Sequence, residues 1–202
     1  MNLIDITRIP VCWTTCDKSI HDRQPRMETM LDSIGIAAVK ISGPITSPYT
    51  IGVAEGYMDA LTRFNPPFLI LEDDATLIGD INDIPEIELP KRCDAMYIGT
   101  SLFGRMGGKT LLNGIISGLY NEKTLRIFNM LGFHAIIYLT KSYVDLCVDL
   151  LEQFIENPVG GCDDPIADNM YKSDVYCLKN PIFYQQDGRS DQATTLPVKP
   201  IW

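Results

Sequence analysis

At 202 residues the chain suits one domain with a real hydrophobic core and leaves little room for a second. A composition of 46% hydrophobic and 21% charged residues excludes a disordered chain, and no apolar run reaches the ~18 residues of a membrane span. The net charge of −9 disfavours indiscriminate binding to polyanions. The opening Met1-Asn2-Leu3-Ile4-Asp5 lacks a basic region followed by an apolar stretch, so a cytoplasmic location is expected. Six cysteines are scattered without a CxxC pair and are expected to be reduced, with Cys12 and Cys147 acting as small core residues. Only two histidines, His21 and His134, are present, and neither stands at zinc-ligand spacing from a cysteine pair.

Residues 9–13 form a β-prone run that stops at Thr14-Thr15, and residues 25–34 place Met27, Met30, Leu31 and Ile34 at helical spacing. A second β-rich run covers 37–41. A helix over 51–64 follows, with Val53, Tyr57, Leu61 and Phe64 on one face, and it ends at Pro66-Pro67. Phe68-Leu69-Ile70-Leu71 has no polar alternation, as suits a central strand buried on both faces. Residues 79–90 read as a connection, 95–99 as a strand, and the glycine-rich stretch 104–118 as a mobile loop or a hairpin. Residues 135–139 predict a strand, 141–155 a helix, 168–171 a short helix, 175–178 a strand, and the tail from Gln185 irregular chain. Strands alternating with helices predict an α/β layer sandwich around a largely parallel sheet.

Glu72-Asp73-Asp74 follows the apolar strand directly. In open α/β sheets ligands gather at the carboxyl ends of the central strands, where loops meet in a crevice. Three adjacent carboxylates beside four apolar residues repel one another unless a cation neutralises them, and Mg²⁺ or Mn²⁺ suits carboxylates together with diphosphate oxygens. On an extended segment Glu72 and Asp74 point one way and Asp73 the other, so one pair can share a metal. The competing reading is a solvated turn in which Asp73 or Asp74 caps a helix.

Phe68-Leu69-Ile70-Leu71-Glu72-Asp73-Asp74-Ala75 resembles the central "liLEDD" signature of glycosyltransferase family 25, the lipopolysaccharide and procollagen galactosyltransferase group. The resemblance continues in order through Asp22-Arg23-Gln24-Pro25-Arg26-Met27, Met96-Tyr97-Ile98-Gly99, Gly132-Phe133-His134-Ala135-Ile136-Ile137-Tyr138-Leu139, Asp163-Asp164-Pro165-Ile166-Ala167 and Pro181-Ile182-Phe183-Tyr184-Gln185. Glu55-Gly56 stands where the family usually carries Ser-His, and Trp13-Thr14-Thr15-Cys16-Asp17 departs from its opening pattern. The compact length would suit a viral or phage member, whose location would be the host cytoplasm.

The resemblance implies a GT-A fold, a divalent metal, a nucleotide-sugar donor of the UDP-sugar class, and transfer with inversion to an acceptor hydroxyl. It divides the chain into a nucleotide-sugar-binding half, 1–100, and an acceptor half, 101–202. Glu72 and Asp74 become candidate metal ligands, with Asp73 reaching the ribose or sugar. His134 is a further candidate ligand or else a satisfied core histidine. Asp163 and Asp164 are candidates for the general base, and equally a helix start with an Asp cap and Pro in its first turn. Thr14, Thr15 and Arg23 follow the first strand, where the nucleotide lies in this fold, and Arg23 suits a phosphate. Arg105 and Lys109 suit a lid over diphosphate or a plain hairpin. Gln185, Gln186 and Ser190 are candidates for the acceptor side. The acceptor is expected to be a carbohydrate. Alternatives are a hydroxylated base in DNA, which needs a cleft-facing stripe from Lys91, Arg92, Arg105 and Lys109, and a metal-dependent phosphohydrolase, which needs a second carboxylate cluster.

Overall fold

The structure, a computed structural model, describes residues 2–16, 20–78 and 86–185, without the side chains of residues 2 and 20–22. Gln186 and Ser190, and the side chain of His21, lie outside the described residues. The elements in chain order are β1 (Asn2–Ile4), β2 (Val11–Cys16), α1 (Ile20–Ser33), β3 (Ala38–Gly43), α2 (Tyr49–Arg63), β4 (Phe68–Glu72), β5 (Ala75–Leu77), β6 (Ile87–Leu89) and β7 (Ala95–Tyr97). They continue with β8 (Phe103–Met106), β9 (Lys109–Leu112), β10 (Ser117–Leu119), β11 (Thr124–Ile127), β12 (Ala135–Tyr138), α3 (Lys141–Glu156), α4 (Asp164–Asn169), β13 (Val175–Leu178) and β14 (Phe183–Gln185).

Phe68, Leu69, Ile70 and Leu71 are fully buried, as a strand apolar on both faces requires. Alternation divides them between two cores. Phe68 and Ile70 join Cys12, Ile136 and Tyr138 against α2 and α3, whereas Leu69 and Leu71 join Val11, Trp13, Ala135 and Ile137 against Met27 and Leu31 of α1. The result is an α/β layer sandwich around an eight-stranded sheet of order β10-β11-β13-β7-β12-β4-β2-β3. Full burial of each such side chain contributes about 1.5–3 kcal/mol.

The sheet is mixed. β3, β2, β4, β7, β13 and β10 run one way and β12 and β11 the other, so the expected common direction holds for most strands while the two reversals make four strand pairings antiparallel. β12 enters directly from the loop before it and pairs with both β4 and β7, bringing its amino end, at His134, beside the carboxyl end of β4. β1, β5, β6, β10, β11 and β14 are short strands beyond the sequence expectation, with burial set by tertiary pairing rather than by periodicity. The stretch 104–118 begins as the hairpin β8–β9.

Gly56 of α2 is set by close packing. A Cβ there would lie 2.8 Å from the Cα of Gly43 at the end of β3, so the helix rests on bare strand backbone. Gly56→Ala is expected to destabilise the fold by about 1–3 kcal/mol through overpacking. Thermal unfolding checks this, and an unchanged melting temperature would contradict the packing account.

Candidate functional site

The carboxyl ends of the parallel strands β2, β3 and β4 share one edge of the sheet with the amino end of β12. The alternation that divides the core also divides the polar residues there. Glu72 and His134 continue the series facing α2 and α3, while Thr15 and Asp73 continue the series facing α1.

On the first face the backbone N–H of Glu72 donates to the His134 carbonyl at 3.1 Å, and His134 Nδ1 lies 3.0 Å from Glu72 Oε2. Glu72, Asp74 and His134 each offer a ligand atom within 4.8 Å of the others, the only such group among the described residues. Asp74 Oδ2 accepts from Gln185 Nε2 at 2.9 Å, but Asp74 Oδ1 and His134 Nε2 are buried with no hydrogen-bond partner. His134 is thus bonded through one ring nitrogen and unpaired at the other, and unpaired buried polar atoms are costly.

Burial pushes the Glu72 carboxyl above its usual range; the hydrogen bond from His134 opposes this and the Asp74 charge adds to it. Burial works against protonation of His134, yet its bond to Glu72 and the charges of Glu72, Asp74 and Asp163 together raise it. Gly132, at φ +97°, gives the imidazole its room, since a Cβ would stand 2.7 Å from Nε2.

On the second face Asp73 accepts from Thr15 Oγ1 at 2.6 Å and from Arg23 Nη1 at 2.8 Å. Arg23 also lies 3.8 Å from Asp74 Oδ2, linking the two faces. Burial opposes protonation of Arg23, and the Asp73 and Asp74 charges outweigh it. Arg23 therefore has a carboxylate partner here rather than standing open for phosphate. Thr14, expected beside the nucleotide, directs its hydroxyl to the Leu71 carbonyl at 3.4 Å. An open cavity of about 490 Å³ between α1 and β5 is bounded by Asp73 together with Arg26, Met27, Met30, Thr76 and Leu77.

α4 begins where Asp163-Asp164-Pro165 predicts a helix start, with Asp163 as the N-cap residue, but its side chain makes no cap bond. Asp163 Oδ2 instead accepts from the Gly132 N–H at 2.7 Å, and Asp163 lies within electrostatic reach of Glu72 and His134. Burial raises the Asp163 carboxyl, partly offset by the Gly132 bond. Asp164 Oδ2 receives Arg105 Nη1 at 2.6 Å and the Gly161 N–H at 3.2 Å. Its pKa is raised by burial against the pull of Arg105. Arg105 Nε also binds Asp168 at 2.6 Å, so the expected lid cation is engaged by α4.

Sequence reasoning missed Tyr49, the first residue of α2. Burial raises its hydroxyl pKa, and Cys16, Glu72, Cys162 and Asp73 add to the shift, which places it at the same mouth. The rule that loops converge at strand carboxyl ends would have found it after β3. Gly132 stood in a segment of the resemblance without a role of its own, and Asp168 carried no motif.

No protein-family model matches the sequence, and neither does any curated protein. Among solved structures the chain is similar to the glycosyltransferase GlyE of Streptococcus pneumoniae TIGR4, with a TM-score of 0.49 and 14% identity over 86% of this chain and 46% of that one. The apo form of GlyE gives a TM-score of 0.43 and 13% identity over 79% and 42%. The chain spans less than half the length of either. No described helix is long and apolar enough to cross a membrane.

Arg105→Met leaves Asp164 without its guanidinium and is expected to cost about 2 kcal/mol, because Asp164 is almost fully buried. Denaturant unfolding measures the loss. Wild-type stability would show the pair to be dispensable.

Proposed function

We propose that the protein is a metal-dependent glycosyltransferase that moves a hexosyl or pentosyl unit from a UDP-sugar-type donor to an acceptor hydroxyl with inversion. The observation that carries the proposal is the convergence of Glu72, Asp74 and His134 at the mouth of the sheet, with Asp74 Oδ1 and His134 Nε2 buried and unpartnered. Carboxylates with one imidazole suit Mn²⁺ well, because it accepts both oxygen and nitrogen donors. Held by these three residues, such a cation would supply Lewis-acid neutralisation of the charge on the departing diphosphate.

The chain's own residues divide the remaining work. Asp73, fixed by Thr15 and Arg23, borders the α1 cavity and is assigned to the ribose or sugar. Thr14, bonded to the Leu71 carbonyl, sits beside Thr15 at the end of β2 and is assigned to the nucleotide with it. Residues 1–100 then carry the donor and 101–202 the acceptor. Inversion requires a base for the acceptor proton, and Asp163 is assigned that role: it neighbours the metal cluster and its raised pKa strengthens it as a base. Asp164, held by Arg105, positions the start of α4. A carbohydrate acceptor is favoured over a DNA base, since Arg105 of the required basic stripe is neutralised by Asp164 and Asp168. A two-metal phosphohydrolase is disfavoured by the single ligand cluster among the described residues. The motifs of family 25 and a viral setting are consistent with this reading.

Thermal shifts with UDP-sugars are expected to require Mn²⁺, and at a ligand concentration of 100 times Kd the gain is about 2.7 kcal/mol. No shift with any nucleotide sugar would refute the donor assignment. Asp74→Asn should abolish both the Mn²⁺-dependent shift and turnover, and full activity would remove the metal role. Asp163→Asn should retain the shift and lose transfer by about 10²–10⁴-fold; equal loss of both would reject it as base.

A further inference from the structure

Six of the twelve exposed large hydrophobic residues among the described residues lie within 106–120: Met106, Leu111, Leu112, Ile116, Leu119 and Tyr120. Leu112 is 57% and Leu119 70% exposed. All four residues of β9 are exposed, while its partner β8 is packed, with Gly104 buried and Arg105 held by Asp164 and Asp168 of α4, so β9 is the outer strand of the hairpin. β10 is the open edge of the large sheet. Asn129 ties these parts into one unit: its amide donates to the Arg105 and Gly114 carbonyls at 2.9 and 3.0 Å, and its Oδ1 accepts from the Ile116 N–H at 2.6 Å.

The same unit is richer in cations than the chain of net −9 as a whole: residues 101–130 hold Arg105, Lys109, Lys123 and Arg126 against Glu122 alone. Arg105 and Arg126 are paired with acids. Lys109 and Lys123 make no ion pair among the described residues, nor does Lys179, whose N–H donates to the Lys123 carbonyl at 2.9 Å.

We propose that the β8–β9 hairpin and the β10 edge form a docking face for an anionic lipid surface. Lysines alone would suit a phosphate chain, but six apolar side chains gain nothing there. Apolar side chains alone would suit a second copy, but a twofold contact brings together two patches whose unpaired charges are of the same sign. Cations over apolar side chains match a headgroup layer over acyl chains, with the negative remainder of the protein turned away. The inference is independent of the reading of the acidic cluster.

Co-sedimentation with vesicles of phosphatidylcholine, with and without phosphatidylglycerol, tests it on the full chain. Binding is expected only with phosphatidylglycerol and should weaken as salt rises. A Leu112→Gln/Leu119→Gln variant and a Lys123→Glu/Lys179→Glu variant should each lose binding by about ten-fold or more at unchanged melting temperature. Absence of binding to anionic vesicles overturns the proposal. So does binding that neither variant weakens, patch-dependent dimerisation in sedimentation velocity without lipid binding, or capture of single-stranded DNA in place of vesicles.

Discussion

Three successive carboxylates leave a strand whose preceding four residues are closed to water, and the two-residue period of that strand sends them to opposite sides of the sheet. Glu72 and His134 meet over the α2–α3 layer, and Asp73 meets Thr15 and Arg23 over α1. Like charges that would repel on one side are separated by the thickness of a strand. Each then finds its own counter-group, a histidine on one face and a guanidinium on the other. Arg23, reaching both Asp73 and Asp74, holds the two arrangements at a common spacing.

That alternation is also why this part of the site was legible in the sequence. A dry run of four residues with acids directly after it fixes which side chains share a face, and the structure groups Glu72 with Asp74 and apart from Asp73 as the spacing requires. The helices over 25–34, 51–64 and 141–155 were equally readable, because each buries a face with a 3.6-residue period. The short strands were not. β5 and β14 have three residues each and exist because they pair with each other, Gln185 opposite Ala75, a partnership across more than one hundred residues that leaves no local pattern. Arg105 shows the same limit: beside glycines it looked free to close over a ligand, yet its charge is taken up by two acids sixty residues onward.

The region between β7 and β12 behaves differently from the rest of the sheet. Its strands are short, and β9 and β10 are mostly exposed, so packing orders that outer part little. Asn129, with 5% exposure, supplies what the core does not by filling its amide and carbonyl valences with backbone partners from β8 and from the loop between β9 and β10. One buried amide thereby gives a solvent-facing unit a definite shape.

The reversed strand β12 has a consequence for the order in which the protein can become competent. Glu72 and Asp74 leave the ribosome some sixty residues before His134 does, and β12 must wedge between β4 and β7 before the imidazole reaches them. A nascent chain that has completed the first hundred residues therefore exposes acids with no histidine to complete them. Under the proposed metal role, cation capture would be a late event, a seal set on the finished sheet rather than a seed for it.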